Sequence, residues 1–283
     1  MKQIIHATHT PEGFAVLQTA EFQQGGQAAQ AGPLFGEIVF APGTSADLPL
    51  NEVAYCAGWS DEEGWHKCPN LFALRFGTQC KQCSQKDVHL ECARCDGSVC
   101  LSHSQQAVER CNKPHVLYLA SFAGLLKVGI SSGTRFETRW MEQGADYACK
   151  TLLFESGRQA RIAEAALSQE LNMRSFVRGY EKIKLLIFDE SGCGEALAKA
   201  VQTARSKFPE HACTEEVCSL SRFYPPKTAF GDLKKAQSMR GEVLGCKGSL
   251  LFLKQGGQNA VFNLKDAVGR LVLEKKGTLS GFC

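Results

Sequence analysis

Cysteines are concentrated in one segment of this sequence, at spacings typical of metal sites. Eight of the fourteen cysteines lie within residues 56–111. Two C-x-x-C pairs in that segment each let two thiolates reach one ion from a tight turn. Soft thiolate ligands favour zinc over magnesium or calcium, which bind oxygen. The segment therefore predicts structural zinc, with these candidate ligands: Cys56, Cys68, Cys80, Cys83, Cys92, Cys95, Cys100, His103 and Cys111.

The order of these ligands allows two divisions between two zinc ions. In the sequential division, which we favour, one ion takes Cys56, Cys68, Cys80 and Cys83, and the second takes Cys92, Cys95, Cys111 and either Cys100 or His103. In the cross-braced division, Cys80 and Cys83 pair with Cys100 and His103. An iron–sulfur cluster is a less favoured alternative, since sets of four cysteines also hold such clusters. So many thiolates close a site to water, which indicates structural rather than catalytic zinc.

The start of the chain and its hydropathy predict a cytoplasmic protein with reduced thiols. The sequence MKQIIHATHTPEGF lacks the apolar core of a signal peptide. No run approaches the roughly 18 apolar residues of a membrane span, so no membrane partner is expected. Cytosolic thiols stay reduced, so we interpret the scattered cysteines as small buried hydrophobic residues. These are Cys149, Cys193, Cys213, Cys218, Cys246 and Cys283.

A second set of reactive side chains follows the cysteine segment. The stretch VLYLASFAGLLKVGIS (116–131) predicts two strands joined by a turn, and helical patterns follow at 135–143 and 159–171. This order resembles the GIY-YIG nuclease superfamily. There a first strand carries a tyrosine, a second carries Tyr-Ile-Gly, the next helix an arginine and a later helix a metal-binding glutamate. The matching residues are Tyr118, Lys127-Val128-Gly129, Arg139 (with Arg135 as the alternative) and Glu164.

The resemblance implies roles in phosphodiester cleavage, although a lysine stands where the superfamily has its second tyrosine. Glu164 would bind a catalytic Mg²⁺ or Mn²⁺, and Arg139 would clamp the phosphate. Tyr118 or Lys127 would position or deprotonate the attacking water. Structural interpretations compete with these roles: Tyr118 as a strand aromatic with a surface hydroxyl, Lys127 as a strand-end charge, and Arg139 with Glu164 as an ion pair between helices.

The chain also resembles an uncharacterised bacterial and archaeal family that joins a zinc-bearing segment to a YLA…KVGI…RW…QGA core and a β-rich tail. The matching stretches are Pro114-His115, Tyr118-Leu119-Ala120, Lys127-Val128-Gly129-Ile130, Arg139-Trp140 and Gln143-Gly144-Ala145. This resemblance covers roughly residues 56–190 well and the ends loosely. It implies a zinc-bearing, nuclease-like core and no specific activity.

The charge distribution favours DNA or RNA as a partner. Residues 222–283 carry eleven Lys and Arg against four Asp and Glu. Such a basic region can meet phosphates, although a solvated basic face is an equal alternative. No G-x-x-x-x-G-K-[ST] loop is present, so no nucleoside triphosphate is expected. Trp140 is either a core residue or a platform for a base. The candidate nucleic-acid contacts are Arg135, Trp140, Lys234, Lys235 and Arg240.

Together these patterns predict an α+β fold in four parts. Residues 1–55 form a β-rich N-terminal segment, 56–114 the zinc-binding segment, 115–208 the GIY-YIG-like α/β core, and 209–283 a basic β-rich domain. The two β-rich parts can pack together, since neither has enough apolar residues to stand alone. The predicted function is nucleic-acid binding with metal-dependent endonuclease activity. The alternatives are an inactive DNA- or RNA-binding module and a protein-interaction scaffold.

Overall fold

The structure of the chain is a computed structural model, which describes residues 1–22, 34–174, 177, 179–186 and 192–274. Cys283 lies outside these residues. Among the helices described, none is long and apolar enough to cross a membrane.

The described residues of the N-terminal part form four strands. The first two form an antiparallel hairpin whose turn contains Gly13 in the left-handed region, at φ 88°. Such a backbone conformation favours glycine, which has no Cβ to collide with the next carbonyl. The strands are β1 (Lys2–His9), β2 (Ala15–Glu21), β3 (Leu34–Phe40) and β4 (Ser45–Leu48).

The cysteine segment has only short elements. Asp87 accepts a hydrogen bond from the amide of His89 and caps one of its helices, and Ser104 caps another through the amide of Ala107. The strands are β5 (Ala54–Tyr55), β6 (Trp59–Asp61), β7 (Gly64–His66) and β8 (Ala73–Leu74). The helices are α1 (Lys81–Lys86), α2 (Val88–Arg94) and α3 (Gln105–Cys111).

The central part is an antiparallel sheet with helices packed on it. Ala160, Ala163 and Leu167 form the buried stripe of one helix, and Leu197, Val201 and Ala204 that of another. The elements are β9 (His115–Phe122), β10 (Leu125–Ser132), α4 (Phe136–Gln143), β11 (Tyr147–Phe154), α5 (Gly157–Glu170), α6 (Gly179–Leu185) and α7 (Cys193–Lys207).

The C-terminal part is again mostly strands. It contains β12 (Cys218–Ser219), β13 (Lys234–Lys235), β14 (Met239–Lys247), β15 (Leu250–Gln255), β16 (Gln258–Asn263) and β17 (Leu271–Val272). Short 3₁₀ segments lie at Pro209–His211, Ser221–Phe223, Lys227–Phe230 and Leu264–Ala267.

The two ends of the chain share sheets and a core. One sheet has the order β17-β1-β2-β3, and another has β13-β16-β15-β14-β4. Ile4 and Leu17 from the N-terminal strands pack in one apolar cluster with Met239, Leu251 and Phe262 from the C-terminal strands. The central sheet, in the order β10-β9-β11-β12, has its own apolar clusters. The fold is therefore mixed α and β, with both β-rich ends built into one unit.

The interpretation of the scattered cysteines as buried residues holds for Cys149, Cys193 and Cys246. It is wrong for Cys218, which is exposed, and Cys213 is only partly buried. Cys218 lies on β12, a two-residue strand at the edge of the central sheet.

The central part joins the C-terminal sheet where two glycines meet. Gly144 ends α4 in the left-handed conformation, at φ 72°, and Gly248 lies in the turn between β14 and β15, at φ 57°. A Cβ on Gly144 would lie 2.9 Å from the Gly248 amide nitrogen, closer than packed carbon and nitrogen atoms come. Glycine at both positions therefore allows the end of α4 to touch the turn.

Replacing Gly144 by alanine tests this contact. We expect Gly144→Ala to lower the free energy of unfolding by about 1–2 kcal/mol for the left-handed conformation plus about 1–3 kcal/mol for the collision. Gly192 is the matched control, because it has φ 76° and a Cβ added there would have no atom of the described chain within 4 Å. In urea denaturation, Gly192→Ala should lose only the contribution of the left-handed conformation. Equal losses in the free energy of unfolding for Gly144→Ala and Gly192→Ala would contradict the close contact.

Candidate functional site

The first predicted zinc group is brought together by the fold. The sulfur atoms of Cys56, Cys68, Cys80 and Cys83 all lie within 4.8 Å of one another. A tetrahedral zinc with bonds of about 2.3 Å needs its sulfurs about 3.8 Å apart, so the four fit one ion with a small contraction. The Cys80 amide donates to the Cys56 sulfur at 3.2 Å, and the Cys83 amide to the Cys80 sulfur at 3.5 Å. These four cysteines could therefore hold a metal ion such as zinc.

This grouping agrees with the sequential division of the ligands and separates Cys80 and Cys83 from Cys100 and His103. Burial raises the pKa of the Cys56 and Cys83 thiols. Since zinc binds the thiolate form, metal binding at this site would release protons.

The second predicted group is gathered less tightly. Burial raises the pKa of Cys111, and the charges of Cys92, Cys100 and Cys95 act in the same direction, which places these thiols near one another. Among the residues described, however, only the first group brings three or more potential ligand atoms within 4.8 Å. His103 is exposed, and its amide donates to Glu91 at 3.0 Å.

The loop of the second group docks on helix α5. Arg158 donates to the carbonyl oxygens of Gly97 and Ser98, both at 2.9 Å, and Arg161 donates to the carbonyl of Cys95 at 3.0 Å. Cys92 lies on α2, which contacts α3. Through these contacts the cysteine segment is fixed against the central part of the chain.

A cleft of about 1160 Å³ lies between the cysteine segment, strand β1 and the central part. Six Lys and Arg side chains line it, against three Asp and Glu. The basic residues are Lys127, Arg135, Arg139, Arg161, Lys182 and Lys265, and the acidic ones are Glu37, Asp87 and Glu142. The cleft therefore has an excess of positive charge, which favours anionic ligands.

Gln143, the last residue of α4, connects three of the residues around this cleft. Its side-chain amide donates to the Tyr118 hydroxyl at 2.6 Å and accepts from Lys127 Nζ at 2.7 Å. Its main-chain carbonyl accepts from Lys182 Nζ. Gln143 matches a family motif in the sequence, which predicted for it only the shaping of a helix end.

Tyr118 lies beneath the cleft wall rather than in it. Its side chain is 1% exposed, and burial raises its pKa, so the phenol keeps its proton at neutral pH. A Cβ on Gly129 would lie 2.6 Å from the tyrosine ring and hydroxyl. The glycine of the KVG motif therefore leaves the space that the Tyr118 ring fills on the neighbouring strand. The structural interpretation of Tyr118 placed its hydroxyl at the surface, and this is wrong, because the residue is buried.

Arg139 and Arg135 are held by a residue that the sequence analysis missed. Glu142 pairs with Arg135 at 2.9 Å and with Arg139 at 3.0 Å, and it accepts a hydrogen bond from Thr8 of β1 at 2.8 Å. Burial opposes its ionisation, but the hydrogen bond and the two arginines outweigh it and lower its pKa. Arg139 thus pairs with Glu142 and not with Glu164. The i, i+3 spacing of Arg139 and Glu142 was the only available signal.

Glu164 is partly buried on α5 and does not belong to the lining of the cleft in the described chain. Burial raises its pKa, while the charges of Arg161 and Lys127 act against this. Glu164 therefore lies near Arg161 and Lys127, which do line the cleft. A divalent ion at this carboxylate would need further ligands from waters or a bound phosphate, as is common for magnesium.

Four further candidate contacts lie elsewhere. Trp140 is 5% exposed and packs edge-on against Tyr118 and Phe136, which leaves its ring no exposed face on which a base can stack. Lys234 and Lys235 are exposed on β13, outside the cleft. Arg240 pairs with Asp47 at 3.1 Å on the surface of the same sheet. The basic C-terminal region contributes Lys265 to the cleft instead.

The lysines of the cleft have lowered pKa values. Burial and the neighbouring charge of Arg139 lower the pKa of Lys127 to about 8, against an opposing effect of Glu164. Burial and the charges of Lys265, Lys127 and Arg139 lower the pKa of Lys182 to about 7. Both ammonium groups therefore lose their protons close to physiological pH.

Comparison with known proteins gives one family. A model of the family described as "Protein of unknown function (DUF2797)" matches residues 49–272, which is more than half of the chain. No curated protein and no solved structure gives a significant match.

The first prediction from this site concerns its metal. We expect the purified protein to contain zinc, and Cys83→Ser to lose about one ion per chain. Several kcal/mol of binding free energy would be lost with it, so the melting temperature should fall by about 10 °C or more. Elemental analysis and calorimetry measure both quantities. Cys218→Ser, which alters an exposed thiol, should change neither; unchanged zinc in Cys83→Ser would refute the assignment.

The second prediction concerns pH. With these lowered pKa values, Lys182 is charged below about pH 7 and Lys127 below about pH 8, and each is neutral at higher pH. Sulfate should therefore bind the cleft more tightly at low pH. Between pH 6 and pH 9 we expect its affinity to fall about tenfold, equivalent to about 1.4 kcal/mol. Sulfate does not titrate in this range, so calorimetric titration reports on the protein. Lys182→Met should flatten the profile, and an affinity that rises with pH would contradict the assignment.

Proposed function

Since the chain belongs to the DUF2797 family, which carries no assigned function, we propose one from the residues of its cleft: nucleic-acid binding, with cleavage of phosphodiester bonds by a GIY-YIG-like core. The observation that carries this proposal is the excess of basic side chains in a single cleft between the cysteine segment and the core. Phosphate contacts from Lys and Arg supply most of the affinity of proteins for nucleic acids.

The guanidinium of Arg139 is suited to hold the phosphate under attack. It has five N–H donors, and its pairing with Glu142 uses one nitrogen at 3.0 Å. Its side chain is 44% exposed, so the remaining donors can reach a ligand in the cleft. Glu142 thus orients the arginine while leaving donors for a bidentate contact with phosphate oxygens.

Lys127 is suited to take the proton from the attacking water. Its pKa of about 8 leaves a usable fraction of neutral amine at physiological pH, and a general base works best when its pKa lies near the working pH. The hydrogen bond to Gln143 fixes the position of Nζ. Tyr118, kept as a neutral phenol by burial, positions Gln143 and through it Lys127.

Glu164 would hold the divalent ion, Mg²⁺ or Mn²⁺, whose chemistry is to neutralise charge on the phosphate and on the leaving oxygen. Burial raises the pKa of Glu164, and the charges of Arg161 and Lys127 act against this and favour the ionised carboxylate that such an ion requires. Glu164 lies behind the cleft wall, however, and this favours a second candidate function: a binding module without cleavage, in which Glu164 only balances the charge of Lys127 and Arg161.

Cleavage assays separate the two functions. Pure protein is incubated with labelled single- and double-stranded DNA and RNA in the presence of Mg²⁺ or Mn²⁺. We expect cleavage by the wild type and by Glu216→Gln, whose carboxylate is exposed and outside the cleft, and cleavage at background level by Glu164→Gln.

Tight, salt-sensitive binding without cleavage by any of the three proteins would establish the binding module in place of the nuclease. Absence of both binding and cleavage would refute nucleic acid as the ligand.

A further inference from the structure

We propose that Lys182, Lys265 and His9 form a second phosphate-binding subsite in the cleft, which holds a neighbouring phosphate of a single-stranded nucleic acid. The inference rests on the proposed function, since it assigns a substrate class to the same cleft. The three residues come from α6, from the 3₁₀ segment Leu264–Ala267 and from β1. None of them has a role in the proposed cleavage.

His9 is the first observation for a ligand at this position. It is only 9% exposed, yet it lines the cleft, and neither ring nitrogen has a hydrogen-bond partner among the described residues. The backbone of Gly248 acts to raise the pKa of His9, against the larger effect of burial, but it forms no hydrogen bond of normal length and angle with either ring nitrogen. A buried polar group without a partner costs free energy, which a hydrogen bond to a ligand oxygen would recover. Burial lowers the pKa of His9 to about 4, so the ring is neutral and carries one N–H for such a bond.

The two lysines are the second observation. Lys182 Nζ donates to the neutral carbonyl of Gln143, and within the described chain neither Lys182 nor Lys265 has a salt bridge to a carboxylate. Their charges act on each other and on Lys127. Two ammonium groups held together in a partly buried cleft repel each other, and a bound anion reverses this repulsion. Glu142 forms salt bridges to Arg135 and Arg139, whereas its charge acts on Lys265 without a salt bridge among the described residues.

The cleft therefore has two groups of cations with different partners. Arg135 and Arg139 form salt bridges to Glu142, while Lys182 and Lys265, which line the same cleft as His9 and Ser249, form no salt bridge among the described residues. A single phosphodiester carries one negative charge and cannot neutralise both groups. A polyanion with successive phosphates can place one at each.

The size of the cleft indicates a single strand. Its volume of about 1160 Å³ is close to the upper end, about 1000 Å³, of pockets for small ligands. It has walls from the cysteine segment, β1 and the core, which leave room for a few nucleotides of one strand. A duplex would add a second strand to the same volume, so a single strand fits the cleft better.

Equilibrium binding tests the subsite independently of cleavage. A labelled single-stranded thymidine oligonucleotide is titrated with the full chain by fluorescence anisotropy, in buffer at pH 6 without divalent ions, over a series of salt concentrations. Lys182→Gln and Lys265→Gln should each raise Kd about fivefold or more and reduce the salt slope by about 0.7, the value for one lost phosphate contact on a single strand. His9→Phe should raise Kd about tenfold with an unchanged slope, because it removes a hydrogen bond and no charge.

The controls separate this subsite from general effects of charge and folding. Lys254→Gln removes an exposed lysine outside the cleft and should bind like the wild type. Lys182→Arg keeps the charge and should retain the salt slope. The reduced slope of Lys182→Gln is then due to the lost charge and not to a folding defect. Kd values for Lys182→Gln and Lys265→Gln equal to that of Lys254→Gln would refute the subsite and leave the proposed function standing. Binding of a duplex as tightly as the single strand would refute the strand assignment, and no binding by the wild type would refute the proposed function itself.

Discussion

The residues of the candidate site depend on the position of Gln143. Its side-chain amide uses its donor group on Tyr118 and its acceptor on Lys127, so one orientation satisfies both, and the reversed amide would turn N–H groups toward the ammonium. The position of Gln143 in turn follows from the contact of Gly144 with Gly248. Thus a packing contact between the core and the C-terminal sheet determines where the polar groups of the cleft lie.

Some of the positive charges in the cleft are paired with a carboxylate, and others contact only neutral acceptors. Glu142 accepts both Arg135 and Arg139, so these guanidiniums keep their charge at little cost. Lys127 and Lys182 share Gln143, whose neutral acceptors satisfy N–H groups without cancelling charge. Burial therefore lowers the pKa of both lysines. The result is a positive potential in the cleft that the described carboxylates do not fully neutralise and that an anionic ligand would balance.

Sequence patterns predicted those features of this arrangement that depend on residues close together along the chain. The C-x-x-C pair at Cys80 and Cys83 and the buried stripe of α5 follow from short-range spacing, so metal-binding potential and a mixed α and β fold could be anticipated. His9, Lys182 and Lys265 could not, since no periodicity connects positions so far apart. Charge counting found the basic C-terminal region but not which of its lysines enters the cleft. That choice is made by the pairing of β1 with β17, which carries the 3₁₀ segment of Lys265 to the site.

The cysteine segment forms one wall of the cleft but has little core of its own. Its buried apolar residues within 56–111 are Cys56, Ala57, Cys68, Cys83 and Ala107, and three of these five are candidate metal ligands of the first group. Gln79, next to Cys80, donates to Gly58 and to Asp87, and Asp87 caps α2. The hydrogen bonds that shape this wall thus start from the metal-binding turn. A metal ion held at the four cysteines would therefore stabilise the hydrogen bonds that shape this wall of the cleft.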